Sequence, residues 1–347
     1  MVRMCEAFAE LGHEVTLVVS EQGVSAREIL DFYGVEVEIN IIRVKVSKGK
    51  IGNMSYAIKA GLAARRAAPD YVVGRSVSAC AFACFLRCKT VLDSHGPVWQ
   101  SNIFDWLLFR YMVMCPSLVR MTVNSNALKK MYEEKGAVPK CGITVAFNGS
   151  KPDAGIVEIQ QWPGRAGGQQ IGYFGNLYPG RGIDLIMECA KNMPDSDFHI
   201  FGGSEKDIDF WRNNNLPSNV FLHGFINNHL VQSYRARCDV LLAPYQASGV
   251  AVAGGGGDSS RYMNPIKIVE YMSSGKAIVC SDIIVLREVL GDDGAVFVEP
   301  DNIQEWISAI GLLKDDKVRD EYSRRALDRF NCGLTWHSRA RNVLGII

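Results

Sequence analysis

Short apolar runs alternating with helix-patterned segments, along a chain of 347 residues, constrain this sequence more than any other feature. In the first half, Glu14 to Val19 and Val35 to Ile42 read as strands and Tyr56 to Ala67 as a helix. Tyr71 to Val73 and Thr90 to Leu92 read as buried strands, and Met121 to Asn124 and Ile143 to Phe147 as further strands. Strands joined through helices run parallel, because a parallel pair needs a long crossover connection. The polar stretch Lys151 to Gln170, with Pro152, Pro163 and several glycines, reads as a linker. The second half repeats the alternation and ends in a helical tail, Gln304 to Ile347. The expected fold class is therefore α/β with two Rossmann-like domains.

Composition bounds the function classes. Hydrophobic residues make up 48%, enough for two sizeable cores, and the formal net charge of +1 provides no global field to select nucleic acid. Ten cysteines without paired short spacings, and no secretory leader at the start, point to reduced thiols in a cytosol. No apolar run approaches the roughly 18 residues of a membrane span. Cys80, Cys84 and Cys88 would align on one helix face, but zinc sites draw ligands from a tight turn plus a second element. They are assigned to the buried face of a helix, and no metal is expected.

The chemistry concentrates in the segment Asn264 to Asp282. Asn264 suits an N-cap, Pro265 the first helical position and Gly275 a left-handed stop, after which Lys276 to Cys280 reads as a buried strand. The free N–H groups of Ile266 and Lys267 would face an anion at the positive end of the helix dipole. Glu270 follows Lys267 by one helical turn, so both side chains can project near one ligand.

This segment resembles the donor-binding core of glycosyltransferase family 4, whose members bind a nucleotide-sugar. The resemblance continues, in family order, through Ile171 to Asp184, Phe198 to Gly203, Val220 to Phe225, Cys238 to Tyr245, Leu286 to Glu288, Gly294 to Val298 and Pro300-Asp301. It implies the GT-B architecture, with two Rossmann-like domains facing each other across a cleft. The acceptor-side domain would span residues 1–155 and the donor domain 165–330, with 331–347 a last helix crossing back to the first. No resident cofactor is implied, since the nucleotide-sugar is itself the substrate.

Each site residue takes its expected role from that resemblance. Arg181, in Pro179-Gly-Arg-Gly182, would grip the donor phosphate together with Lys267 and the backbone N–H groups of Ile266 and Lys267. Glu270 resembles the glutamate that contacts the ribose, and Tyr262 stands where the family often has another glutamate near the sugar hydroxyls. Asn176 replaces a basic residue expected after Gly175; Gly175, Gly203 and Asn264 complete the donor set, and Ile226 would read the base through its backbone. Uracil and guanine are not distinguished. The run Gly254 to Gly257 is read as a loop beside the donor sugar, since nothing about it makes a P-loop. On the acceptor side, His95 in Asp93-Ser-His-Gly-Pro97 resembles the family's histidine, a hydrogen-bond donor or proton relay, and Arg75 is a second candidate.

Two features stand apart. Asn102 to Cys115 is the most apolar stretch of the first half; core packing is the preferred reading, and a helix on a bilayer beside a lipid-linked acceptor is the other, with few basic residues flanking it. The family's first strand and glycine-rich turn have no counterpart before Met1 to Val15, so two unpaired ladder edges are expected. The function expected is a retaining, metal-independent transfer from a UDP- or GDP-sugar to a glycan or lipid-linked acceptor in cell-surface polysaccharide or glycolipid synthesis, in the cytoplasm and with peripheral contact at the inner face of the membrane left open. The alternatives are a nucleotide-sugar-binding protein without activity and a sugar-nucleotide 2-epimerase, whose carboxylates and histidines have no clear places here. An NAD-dependent oxidoreductase is disfavoured by the lack of G-x-G-x-x-G opening a βαβ unit.

Overall fold

The structure is a computed structural model in which residues 1–21, 25–46, 51–152, 155–159, 161–251 and 257–346 are described. The chain divides into two compact units, Met1–Phe147 with Trp336–Ile347, and Asn148–Thr335. In the first unit, β1 (Thr16–Ser20) pairs in parallel with β2 (Asn40–Val44) in a sheet of their own. A second, all-parallel sheet has the order β3 (Val72–Gly74), β4 (Thr90–Ser94), β5 (Leu118–Val123), β6 (Thr144–Val145). Every residue of β4 is buried, as a strand covered on both faces must be.

The expected strand Val35 to Ile42 is displaced. A helix, Ala26–Tyr33, capped by Ser25 and stopped at the left-handed Gly34, precedes it. Val35, Val37, Ile39 and Ile41 do pack together beside Leu17, but backbone pairing begins only at Asn40, opposite Thr16. The length of β1, rather than the alternation of its partner, sets the ladder. Helix starts in this unit are local events: Ser76, Asn102 and Ser125 each accept a backbone N–H of the following turn.

Among the described residues, no ladder bonds join the two sheets of this unit. Thr16 to Val18 of β1 and Val72 to Gly74 of β3 both line a cavity of about 750 Å³, with Cys5, Phe8 and Ala60. The hydroxyl of Tyr56, on the helix Ile51–Ala67, donates to the Val18 carbonyl at 2.9 Å and satisfies one group of β1. The helix Trp336–Leu344 packs against Val2–Glu10 through Met4, Ala7, Phe8, Ala340 and Val343.

The second unit holds one parallel sheet of six strands. In chain order they are β7 (Gln169–Phe174), β8 (Ser196–Phe201), β9 (Val220–Gly224), β10 (Val240–Ala243), β11 (Ala277–Ser281) and β12 (Val296–Val298). In space the order is β12-β11-β10-β7-β8-β9, so the chain runs outward one way from β7 and then the other way from β10. The expected linker packs onto this unit in its described part: Arg165 pairs with the buried Asp197, Trp162 donates to Gln170, and the Val157 N–H donates to Ser233.

Candidate functional site

A doubly wound sheet binds ligands beyond its strand C-termini at the point where strand order reverses. In the second unit that point lies between β7 and β10. Both strands end in aromatics, Tyr173 on β7 and Tyr245 just past β10, and each is almost fully buried. The helix Ile266–Ser273 lies between β10 and β11 in the chain and is fastened to β7, whose Phe174 N–H donates to the Tyr271 hydroxyl at 2.8 Å. From its first turn Lys267 places Nζ 4.0 Å from the Tyr173 ring centre and 4.6 Å from that of Tyr245. The Arg181 guanidinium lies 5.0 Å from the Tyr245 ring centre, so two basic groups share one aromatic wall at the switch point.

The loop that carries Arg181 is held by its glycines. Gly180 and Gly182 both have positive φ, and a Cβ on Gly182 would fall 1.9 Å from the Pro244 carbonyl oxygen. Backbone bonds from Gln246 to Gly180 and from Ala251 to Pro179 press the loop against the segment after β10, and Arg181 Nη2 donates to the Ala251 carbonyl at 3.0 Å. Gly175 follows β7 at φ 153°, and a Cβ there would sit 3.5 Å from Lys267 Nζ. Glycine thus keeps the space beside the lysine open.

Lys267 is electrostatically unusual. Its Nζ is buried with no hydrogen-bond acceptor among the described residues. Burial pushes the ammonium well below the usual lysine range and the Arg181 charge pushes the same way, against smaller opposing effects of Cys280 and Glu270. Facing two tyrosine rings is worth about 2 kcal/mol or more to a desolvated cation, against several for losing water, so dehydration prevails. A diphosphate would supply the acceptors that Nζ lacks.

Other expected donor residues are placed differently. Asn264 is not the N-cap: Pro265 takes that position in extended conformation, without a side-chain cap bond, and the helix starts at Ile266. Tertiary pairing has claimed Asn264, whose Oδ1 accepts the Asn148 N–H and whose carbonyl accepts the Asn148 amide. Glu270 is half-exposed and ion-paired with the buried Arg235 at 3.5 Å. The side chain of Asn176 is exposed, and its carbonyl accepts the Tyr173 hydroxyl at 2.8 Å. Gly203, at φ 83° after β8, is pressed against Leu177. Ile226 follows β9, separated from β7 by β8. Tyr262 is half-buried near Asp258, its hydroxyl pushed up by burial and then by that carboxylate. Residues 252–256, including most of the glycine run, lie outside the described residues.

In the first unit His95 follows β4 as expected, but inside a network. Its Nε2 lies 3.0 Å from Asp93 and 3.1 Å from Arg339, and its Nδ1 lies 3.4 Å from the Asn124 amide nitrogen. Nε2 thus lies between an acceptor, Asp93, and a donor, Arg339; in the tautomer whose Nε2–H donates to Asp93, Nδ1 accepts from Asn124. Burial pushes the imidazole below its ordinary value, opposed by its bond to Asp93, so it is neutral near pH 7. Asp93 and Arg339 are both 1% exposed; Arg339 Nη2 reaches both carboxylate oxygens at 2.8 and 2.9 Å, and Thr122 donates at 2.9 Å. Burial works to raise the Asp93 carboxyl, but His95, Arg339 and Arg75 together hold it well below the carboxylate range. Cys80 and Cys84 are buried under this sheet, their thiols pushed up by dehydration.

The tyrosine wall and the Asp93–Arg339 pair escaped the sequence reading. The tyrosines look like ordinary core, and Arg339 lies 246 residues from Asp93 with no motif around it.

Two family models match in succession: "Glycosyltransferase Family 4" over residues 1–153 and "Glycosyl transferases group 1" over residues 168–316. The chain belongs to glycosyltransferase family 4, with a fold of the GT-B class. A phosphatidyl-myo-inositol mannosyltransferase from Mycolicibacterium smegmatis is 27% identical over 157 residues, a match covering 44% of this chain and 37% of that protein. A glycosyltransferase structure from Rickettsia africae superposes with a TM-score of 0.70 at 15% identity, covering 99% of this chain and 92% of its own. An E. coli structure described as trehalose-6-phosphate bound with UDP-2-fluoro glucose gives 0.69 at 10% identity, covering 99% and 94%.

Proposed function

We propose that the protein is a retaining, metal-independent glycosyltransferase that moves a hexosyl group from a UDP- or GDP-sugar to a glycan or lipid-linked acceptor at the cytoplasmic side of the cell surface. The carrying observation is the convergence of Arg181 and Lys267 on Tyr173 and Tyr245 at the switch point, beside the opening kept by Gly175. In transfer, the acceptor oxygen bonds to the anomeric carbon as the bond from that carbon to the diphosphate breaks, and the acceptor proton passes to a phosphate oxygen. The charge that builds on the diphosphate meets the Arg181 guanidinium, the Lys267 amine as a hydrogen-bond donor and the free N–H groups of the first helical turn. The Glu270 carboxylate, half-exposed one turn on and held by Arg235 at one oxygen, would offer its other oxygen to the ribose hydroxyls. The UDP-sugar in a similar fold, and the mannosyltransferase name of a distant relative, support the donor class.

The test is nucleotide release from a panel of UDP- and GDP-sugars in the presence of a chelator. Hydrolysis or transfer with one donor class is expected. Loss of all turnover on chelation would remove the metal-independent part, and absence of any nucleotide binding would remove the reading.

A further inference from the structure

At the switch point β7 and β10 diverge. Their pairing ends at Gly172 opposite Leu241, whereas β7 stays paired with β8 as far as Phe174 and β10 with β11 as far as Ala243. A residue in a parallel strand turns its N–H and its carbonyl to the same neighbour, and the next residue turns both to the other side. Gly175 N–H donates to Phe201 of β8 at 2.9 Å, so the N–H and carbonyl of Phe174 face the gap that β10 has left. Buried backbone groups need partners there as anywhere.

Tyr271 supplies them from the helix Ile266–Ser273. Its hydroxyl accepts the Phe174 N–H at 2.8 Å and donates to the Phe174 carbonyl at 3.4 Å, and its side chain is fully buried, edge-on to the Phe174 ring. Tyr271 stands four residues after Lys267, so the two side chains leave the helix on one face and both meet the end of β7. Lys267 Nζ lies over the ring of Tyr173, whose own hydroxyl donates to the Asn176 carbonyl at 2.8 Å. Nζ itself has no hydrogen bond among the described residues to hold it.

We propose that Tyr271 is a positioning residue for donor binding: its hydroxyl stands in for a strand partner of β7 and thereby holds Lys267 and the first-turn N–H groups at a fixed distance from Gly175. The inference rests on the donor-site reading of Lys267. It adds that a tether one turn behind the amine keeps that amine in its dehydrated place.

Tyr271→Phe removes the hydroxyl and keeps the ring. Affinity for UDP or GDP should fall about tenfold relative to affinity for uridine or guanosine, the scale of one hydrogen bond to a charged group. In a Lys267→Met chain the same change should lose most of that selective effect. Without nucleotide, the four chains form a second cycle in melting temperature. Losing the tether lets water reach the amine that burial disfavours, so Tyr271→Phe should cost less in the unaltered chain than beside Lys267→Met. If the phenylalanine variant does not fold, amide exchange in the unaltered chain decides: the Phe174 N–H should exchange no faster than the ladder-bonded N–H groups of β7, and faster exchange would overturn the tether. Equal loss of nucleoside and nucleoside diphosphate affinity, or an additive melting cycle, would overturn the assignment. A coupled melting cycle in a chain that binds no nucleotide would overturn the donor reading and the positioning role with it, while keeping the tether of helix to strand.

Discussion

Lys267 carries a buried ionisable group with no hydrogen-bond acceptor among the described residues, an arrangement that favours an incoming anion and disfavours the empty fold. Its folded-state pKa is depressed, so below the ordinary lysine range the unfolded chain binds a proton that the folded chain does not. The cost to stability is therefore absent above that range and grows as pH falls through it, until the folded value is reached. Lys267→Met should raise the melting temperature at neutral pH, a gain that closes as pH approaches about 10.4. The same variant should lower donor turnover at least about a hundredfold, as should Arg181→Ala, the scale of losing one positioned group on the leaving charge. Scanning calorimetry across pH and initial-rate assays check the two effects separately. A Lys267→Met protein that melts lower at neutral pH would show that the tyrosine rings, not dehydration, decide the state of the amine.

At the scale of elements, the helix Trp336–Leu344 and strand β4 are joined by Arg339 and Asp93 within one unit. Asp93→Asn leaves a buried guanidinium without its counter-charge and should cost about 3–5 kcal/mol in urea unfolding, whereas adding Arg339→Met should recover much of it. Because the Asp93 carboxyl is held below its ordinary value, its contribution is complete above about pH 4 and is lost as pH falls toward the folded value. No local pattern announces this pair. The strands were legible because each carries its own apolar run, and the loop of Arg181 because glycines mark it. The cap at Asn264 was misread because Asn148, 116 residues away, competes for its side chain. Likewise Tyr173 and Tyr245 read as core because they are core, and only the packing shows that their faces also make a wall for Lys267 and Arg181.

Across the molecule, cooperativity should be uneven. The six-stranded sheet of the second unit is continuous from β12 to β9, whereas among the described residues β1 and β2 share no ladder with the other strands of the first unit. A ladder of two strands can therefore open as a small foldon without disturbing β4 and β5. Amide hydrogen exchange should show Thr16 to Ser20 exchanging through local opening at least about a hundredfold faster than Leu118 to Val123. Equal protection in the two segments would mean that the first unit unfolds as a single body. An opening ribbon would also present a free strand edge to other copies of the chain. The first material lost to heat or crowding should thus be self-associated protein still holding an intact second unit, rather than unfolded monomer.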